Sequence, residues 1–446
     1  MSSRLRAKDL IIKRAREAGL TSDSGQALHL LLKQPADTVI VNGSECEPLG
    51  RAKRELLANY PQKIVHGLRL AMEATGARTG IVAIDEDCDD TARQILAAIG
   101  QDGYLRFLVK LFRVPRRYPS GDELPLVHAI TGRVIPSGGT AKEVSVLLLD
   151  AHCLWSLHEA ITGRSVTHQL VTVLGEVHRP FTAWVPRGIM ISALVAAAGG
   201  PKKPEPPALI VGSVLRGKSV LPSAALPATS SLLLVLPAKH RLVQQHATTF
   251  EVNRKRILAA CEGCEQCTCL CPQYLMGQCI TPHRSMRAIA LGLTDLATEI
   301  AGAALCSGCG LCSAVACPVQ LDPAQLMFAV GQQLLQAGYR PALITTAVKA
   351  EWPARQVMLS RLLQRLDLLR YEINPPLIGS LTSDRVVLTL ETTPRLKATP
   401  VIRDGHRVKA GQRIADVPLD SAGVPLNASL TGTVRLLAAG LEIRAS

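Results

Sequence analysis

Apolar positions change their spacing along this chain, and each change predicts a different layer of structure. Between positions 36 and 149, short continuous apolar runs alternate with stretches of helical period. Thr38-Val39-Ile40-Val41 and Gly80-Ile81-Val82-Ala83-Ile84 read as strands buried on both faces, and 55–75 and 91–99 as helices. Buried strands alternating with helices predict a parallel sheet covered by helices. A Gly- and Pro-rich stretch at 118–139 reads as a long loop, of the kind that often carries function. From 171 to 237 the elements shorten: strands at 171–174, 209–211 and 232–236, a helix at 189–198 and a stiff Pro-rich connection at 201–207. Cysteine-rich, helical sequence follows to about position 370. The tail from 385 is strand-rich, with turns at Asp404-Gly405 and Ala410-Gly411, and reads as a small all-β module.

With 446 residues the chain exceeds one ordinary core, so roughly three or four domains are expected. Apolar residues make up 47% and charged ones 19%, enough core material to exclude general disorder. Aromatic residues, at 3%, are too scarce for base-stacking surfaces. The net charge of +14 is spread along the sequence rather than gathered into one patch. That distribution argues against nucleic acid and for an acidic protein partner or an anionic cofactor. No apolar run reaches the ~20 residues that cross a bilayer. The N-terminal 20 residues mix Arg and Lys with Leu5, Leu10, Ile11 and Ile12 at helical spacing. They lack a signal peptide's apolar core and cleavage site, so a cytoplasmic chain is expected. This segment reads as an ordinary amphipathic helix, with targeting or docking as the alternative.

The 13 cysteines change the picture most. Eight fall in two windows, Cys261-x2-Cys264-x2-Cys267-x3-Cys271-Pro272 and Cys306-x2-Cys309-x2-Cys312-x4-Cys317-Pro318. Thiols clustered in this way do not resemble a secreted disulfide framework. Residues three apart in a tight turn present three thiolates to one cube of iron and sulfide. The distal cysteine, followed by a redirecting proline, points away from that cube. In two-cluster ferredoxins the distal cysteine binds the other cluster. Two 4Fe–4S clusters are therefore expected, one on Cys261, Cys264, Cys267 and Cys317, the other on Cys306, Cys309, Cys312 and Cys271. Structural zinc prefers paired C-x2-C knuckles and fits a third cysteine and a Cys-Pro ending poorly. Gly308 and Gly310, lacking Cβ atoms, allow backbone N–H groups to approach sulfide. Cys46, Cys88, Cys153, Cys269 and Cys279 read as packed or surface thiols.

These windows, with Pro282-His283 and Met286-Arg287-Ala288, resemble the RnfC-like family of iron–sulfur flavoproteins that includes PduS-type cobalamin reductases. Val39-Ile40-Val41-Asn42-Gly43-Ser44-Glu45-Cys46-Glu47-Pro48, 118–123 and 131–136 resemble the family's flavodomain. The stretch from 171 to 237 resembles its SLBB β-grasp module. The segments 404–412 and 428–434 resemble its barrel-sandwich hybrid, although no Lys lies at a hairpin tip between 420 and 427 to carry a swinging arm.

The fold the resemblance implies is multidomain α/β. It comprises a Rossmann-like flavodomain (1–165), an SLBB-like β-grasp domain (166–240), a ferredoxin-like dicluster helical domain (241–372) and a barrel-sandwich hybrid (373–446). The implied activity takes electrons from NADH through FMN, held by Asn42, Glu45 and Glu47, and passes them to the clusters and on to a corrinoid. Implied partners are redox proteins, a corrinoid enzyme or a microcompartment shell protein, and the implied location is a bacterial microcompartment.

Two elements depart from the family pattern. Its Gly-rich FMN phosphate loop corresponds here to 20–31, where only Gly25 and His29 match and Asp23 adds a negative charge. Its Asn-Val-Glu-Thr element corresponds to Asp150-Ala151-His152-Cys153. Glycine loops hold phosphate by closing backbone N–H groups around it, so these changes leave two readings open. One is an FMN enzyme with a divergent cradle. The other is a flavin-less iron–sulfur relay or adaptor. His128, His152, His158 and His168 have no ligand spacing and read as exposed or satisfied histidines. Gly138-Gly139 reads equally as a phosphate turn or a strand-to-strand turn. Trp155, Trp184 and Trp352 read as unclustered anchors. No catalytic triad or Walker loop is present.

Overall fold

The computed structural model describes residues 2–45, 47–394 and 396–445, with the backbone alone for 2–6. Cys46 lies outside the described residues. In the first unit four strands, β1 (Thr38–Asn42), β2 (Thr79–Asp85), β3 (Val109–Val114) and β4 (Val146–Asp150), form a parallel sheet in the order β3-β2-β1-β4. Val39, Ile40 and Val41 are fully buried because helices cover both faces of the sheet. Strand β1 has a neighbour on each side, so a crevice opens beyond its carboxyl end, where Asn42 pairs in register with Asp150.

The expected helix at 55–75 is two helices, Ala52–Asn59 and Pro61–Thr75. Pro61 has no N–H to continue the first and is well placed to begin the second. Gly76, in the left-handed region at φ 79°, closes the second through its N–H to the Met72 carbonyl. The stretch at 118–139 is also not all loop, because Glu123–Thr131 is helical and buries Leu124, Leu126 and Val127. Its surrounding Gly and Pro conceal the helix, yet Gly132 supplies the left-handed cap. Gly138 is neither a phosphate turn nor a strand-to-strand turn; its N–H donates to Gln278 Oε1 at 2.9 Å and ties the first unit to the third.

The second unit is a six-stranded sheet. Its order is Leu377–Ser380, Phe181–Pro186, His168–Gly175, Leu232–Pro237, Pro207–Val211, Lys218–Val220, and the strand Leu377–Ser380 joins from far along the chain. In Leu232–Pro237 the side chains divide by parity. Leu233 and Val235 join the core under the helix Ile191–Ala197, while Leu232, Leu234 and Leu236 join a core that includes Cys309, Leu311 and the helix Leu359–Arg365. The centre of the sheet is thus buried on both faces, and the second cysteine window packs directly on one of them.

The third unit is mainly helical, built on Phe250–Ala260, Pro282–Leu291 and Pro323–Gln336. The segment after it straps back onto the first unit, with Ile344 bridged to Ser137 and Val357 paired with Tyr118. A β module from 385 to 445 closes the chain and receives the first helix, Ser2–Glu17, through Arg413 Nη2 to the Glu17 carbonyl at 3.3 Å. Trp155 and Trp184 are in fact clustered, stacked with 4.4 Å between ring centroids where the first two units meet; Tyr60 Oη accepts from Trp184 Nε1 at 3.2 Å. Among the described residues no helix is long and apolar enough to cross a membrane.

The helices Pro61–Thr75 and Ala151–Ile161 touch at Gly67, where a Cβ would lie 2.2 Å from the Leu154 carbonyl oxygen. Gly67→Val is expected to force them apart and cost on the order of 3 kcal/mol. A lower urea midpoint at unchanged slope would register the loss; an unchanged midpoint would refute this account of the packing.

Candidate metal centre and the adjoining cleft

Helix Phe250–Ala260 ends at Cys261, and the chain then turns through Gly263 (φ 68°) and Glu265 (φ 60°) into the helical turn Gln266–Cys269. That path brings Cys261, Cys264 and Cys267 around a cavity of about 430 Å³, and the fourth cysteine lining it is Cys317, from the other window. His283 and Met286 complete much of its wall. The Leu321 N–H donates to Cys317 Sγ at 3.3 Å. Cys264 is exposed, while Cys267 and Cys317 are buried.

Cys306, Cys309 and Cys312 gather around Cys271 in the same exchanged sense. Burial pushes the Cys271 thiol up, and its neighbouring thiols, Cys309 and Cys306, push it further. Cys312 is raised by burial and then by Cys309, Cys306 and Cys271. Burial also takes Cys267 and Cys306 each to about 12. The second window has one more residue before its distal cysteine than the first, and the structure absorbs it as a π-turn. Cys317 N–H reaches back to the Cys312 carbonyl, five residues away, whereas Cys271 N–H reaches the Thr268 carbonyl.

The separation of the sulfurs discriminates between metals. A zinc ion with bonds of ~2.3 Å needs its thiolates within about 4 Å of one another. Among the described residues, the group of three His, Cys, Asp or Glu ligand atoms lying within 4.8 Å of one another is Asp85, Asp87 and Cys88, and none of the eight window thiols belongs to such a group. A wider ring of sulfur suits a cube. Buried donors are also left over beside the second window. Ser307 Oγ and Arg216 Nε have no hydrogen-bond partner among the described residues, and Gly308 and Gly310 sit in the left-handed region. Unpaired donors near thiolates fit a sulfide-rich, negatively charged group. Cys88, Cys153, Cys269 and Cys279 do not line the cavity. Nor do the four singled-out histidines gather with other ligands, although His158 Nδ1 meets His66 Nδ1 at 2.9 Å.

The crevice at Asn42 and Asp150 holds the residues that sequence assigned to a flavin. Asn42 Nδ2 donates to the Gly121 carbonyl at 3.0 Å. Glu45 Oε1 accepts from the Lys53 and Arg54 N–H groups at the start of helix Ala52–Asn59. Ser213 Oγ, from the second unit, donates to Glu47 Oε2. Burial raises both carboxyls, opposed chiefly by Lys53 at Glu45 and by Arg216 at Glu47. The phosphate end is different. Residues 21–27 form a hairpin that uses its own donors, Ser22 N–H to Gln26 O and Gly25 N–H to Ser22 O. The Asp23 carboxyl is exposed, and the nearby Asp150 carboxylate raises it. The hairpin at the Asp23 end, with its donors spent on itself, does not make a phosphate cradle.

Tyr118 Oη, buried, donates to the Cys309 carbonyl at 2.8 Å. Ser213, Arg216 and this tyrosine contact carry no motif of their own, and only the fold brings them to the window.

Residues 16–159 match the family model of the Nuo51 FMN-binding domain, and residues 260–322 that of the 4Fe-4S dicluster domain. The cobalamin reductase PduS of Citrobacter freundii is 30% identical over 430 residues, 95% of this chain and 94% of that protein. PduS of Salmonella typhimurium is also 30% identical over 430 residues, 96% of this chain and 94% of that protein. A component of the Na(+)-translocating ferredoxin:NAD(+) oxidoreductase complex of Acetobacterium woodii is 27% identical over 277 residues, 60% of this chain and 58% of that protein.

Tyr118→Phe leaves the Cys309 carbonyl without its donor in a place closed to water, and is expected to cost about 1–3 kcal/mol. A urea melt reads the loss directly, and a wild-type midpoint would mean the hydrogen bond does not hold the window.

Proposed function

This chain belongs to the family of the cobalamin reductase PduS and transfers electrons through iron–sulfur centres; on that premise we propose that it oxidises NADH and reduces a corrinoid. The observation that carries this reading is the exchanged gathering of eight thiols into two groups, one of which rings a cavity of about 430 Å³ with Cys261, Cys264, Cys267 and Cys317. We assign those four to one 4Fe–4S cluster and Cys306, Cys309, Cys312 and Cys271 to the other. Bound there, the clusters supply one-electron storage and transfer. The chain's own residues do the rest. They bury Cys267 and Cys317 while Cys264 stays exposed, and they pack Cys309 into the core against the sheet.

The units take the names that resemblance gives them. They are a flavodomain over 1–165, an SLBB-like β-grasp over 166–240, a ferredoxin-like dicluster domain over 241–372 and a barrel-sandwich hybrid over 373–446. Asn42, Glu45 and Glu47 would face the flavin ring, which supplies the conversion of a two-electron hydride into single electrons. The proposed setting is a bacterial microcompartment, with a shell protein or corrinoid enzyme as the redox partner. The Asp23 and Asp150 carboxyls at the phosphate end favour a second reading, in which the chain relays electrons without a flavin and docks redox proteins.

Anaerobic purification followed by iron, sulfide and flavin assay separates the two readings. The reductase is expected to hold ~8 irons and one flavin per chain, and NADH should bleach both chromophores. A relay holds the same iron without flavin and answers dithionite but not NADH. A colourless or zinc-bearing preparation defeats both. Cys317→Ser and Cys271→Ser should each lower the iron to roughly half, leaving about four atoms in an intact cluster. Loss of the same cluster in both variants would defeat the crossed assignment.

A further inference from the structure

Arg216 stands where three units meet. Its own N–H donates to Ser213 Oγ at 3.1 Å, and the same hydroxyl donates to Glu47. Its Nη2 donates to Asp122 Oδ2 at 2.5 Å, and its guanidinium lies 5.9 Å from the centre of the Tyr118 ring. Tyr118 in turn holds the Cys309 carbonyl. The residue beside it, Leu215, presses on the second window so closely that a Cβ on Gly310 would lie 3.1 Å from Leu215 Cβ. Arg216 Nε is sealed from water and has no hydrogen-bond partner among the described residues. A half-buried cation with a spare donor therefore lies one tyrosine ring away from the Cys309 backbone.

Among the described residues, no Lys or Arg lines the cavity of the first group. The guanidinium nearest Gly263, that of Arg287, is solvent-exposed, and Glu262 and Glu265 line the same cavity. Water screens an exposed charge strongly and a buried one weakly. Reducing a cluster adds one negative charge and takes up no proton, so a fixed, half-buried cation favours the reduced state of the nearer cluster.

We propose that Arg216 is a positioning residue that sets the order of reduction, so that an electron supplied to the protein by a one-electron donor settles first on the cluster held by Cys306, Cys309, Cys312 and Cys271. The Asp122 and Glu47 carboxylates limit the effect, since each neutralises part of the guanidinium charge. The same two acids belong to the flavin-type cleft, so Arg216 also couples the charge state of that cleft to the second cluster. This inference rests on the cluster assignment above.

The test is a dithionite titration of the full-length, anaerobically purified protein followed by electron paramagnetic resonance, after its iron and sulfide have been measured. Cys317→Ser supplies the signal of the second-window cluster alone. Arg216→Gln is expected to disfavour reduction of that cluster about tenfold, ~59 mV for one electron, and to move the other less than twofold. Arg216→Lys should recover most of the shift, and Asp122→Asn should move the same signal the opposite way. Equal shifts of both signals, or none, overturn the proposal. If Arg216→Gln fails to assemble clusters, Asp122→Asn decides alone, and an unmoved second-window signal overturns it. Absence of iron from the wild-type protein would instead defeat the reading on which the proposal rests.

Discussion

A distal cysteine reaches the opposite triplet only when the turn that carries it has the right length. The two windows meet this demand differently, with a short turn before Cys271 and a π-turn before Cys317. An extra residue in an ordinary helical turn would rotate the next side chain by about 100°, and widening the turn cancels that rotation. The rest of the helical unit follows from bringing the windows together. Asn253 Nδ2 donates to the Asp322 carbonyl, Asp322 caps the helix Pro323–Gln336, and Gly331 lets that helix approach so closely that a Cβ would lie 2.1 Å from the Ala303 carbonyl oxygen.

The second window also depends on a sheet whose central strands have no solvent face. In Leu232–Pro237 alternate leucines serve two cores, and the strand is buried from Leu232 to Leu236. One core holds the helix Ile191–Ala197 and the other holds Cys309, Leu311 and Ala314. Movement of the window would therefore expose apolar surface on the sheet. The strap that pairs Val357–Met358 with Arg117–Tyr118 closes the remaining side, so the first, second and third units bear on one short stretch of chain. Such enclosure keeps water from the sulfur and strengthens every nearby charge.

Much of this was legible in the sequence. Continuous apolar runs marked β1 and β2, and the spacing of the cysteines marked the two windows that the helical unit brings together. The helix Glu123–Thr131 was not legible, because Gly121, Pro125 and Gly132 read as loop signals although two of them only bound or begin the helix. The break at Pro61 was visible in principle, but apolar periodicity on both sides of it outweighed a single proline. The pairing of Trp155 with Trp184 and the placement of Arg216 depend on separate units meeting, and no local pattern encodes that. Ser213 and Arg216 resemble any polar loop residues until the fold sets them against Glu47, Asp122 and Tyr118.

The cleft beyond β1 shows how one crevice can answer different demands at its two ends. The chain is basic overall, yet Asp23, Glu45, Glu47, Glu123 and Asp150 collect here, and burial raises the Glu45, Glu47 and Glu123 carboxyls. At the end facing the second window every charge is tied, Glu47 to Ser213 and Asp122 to Arg216, so the acids strengthen the contact between units. At the other end the hairpin 21–27 spends its backbone donors on itself, and Asp23 faces Asp150. A phosphate dianion there would meet like charge without the amide donors that offset its desolvation. Carboxyls raised in the folded state bind protons more tightly than in the unfolded chain, so this group of acids weakens the fold as pH rises. With its backbone donors spent inside the hairpin, the Asp23 end offers little to an anion, whereas the other end carries the Arg216 guanidinium paired with Asp122.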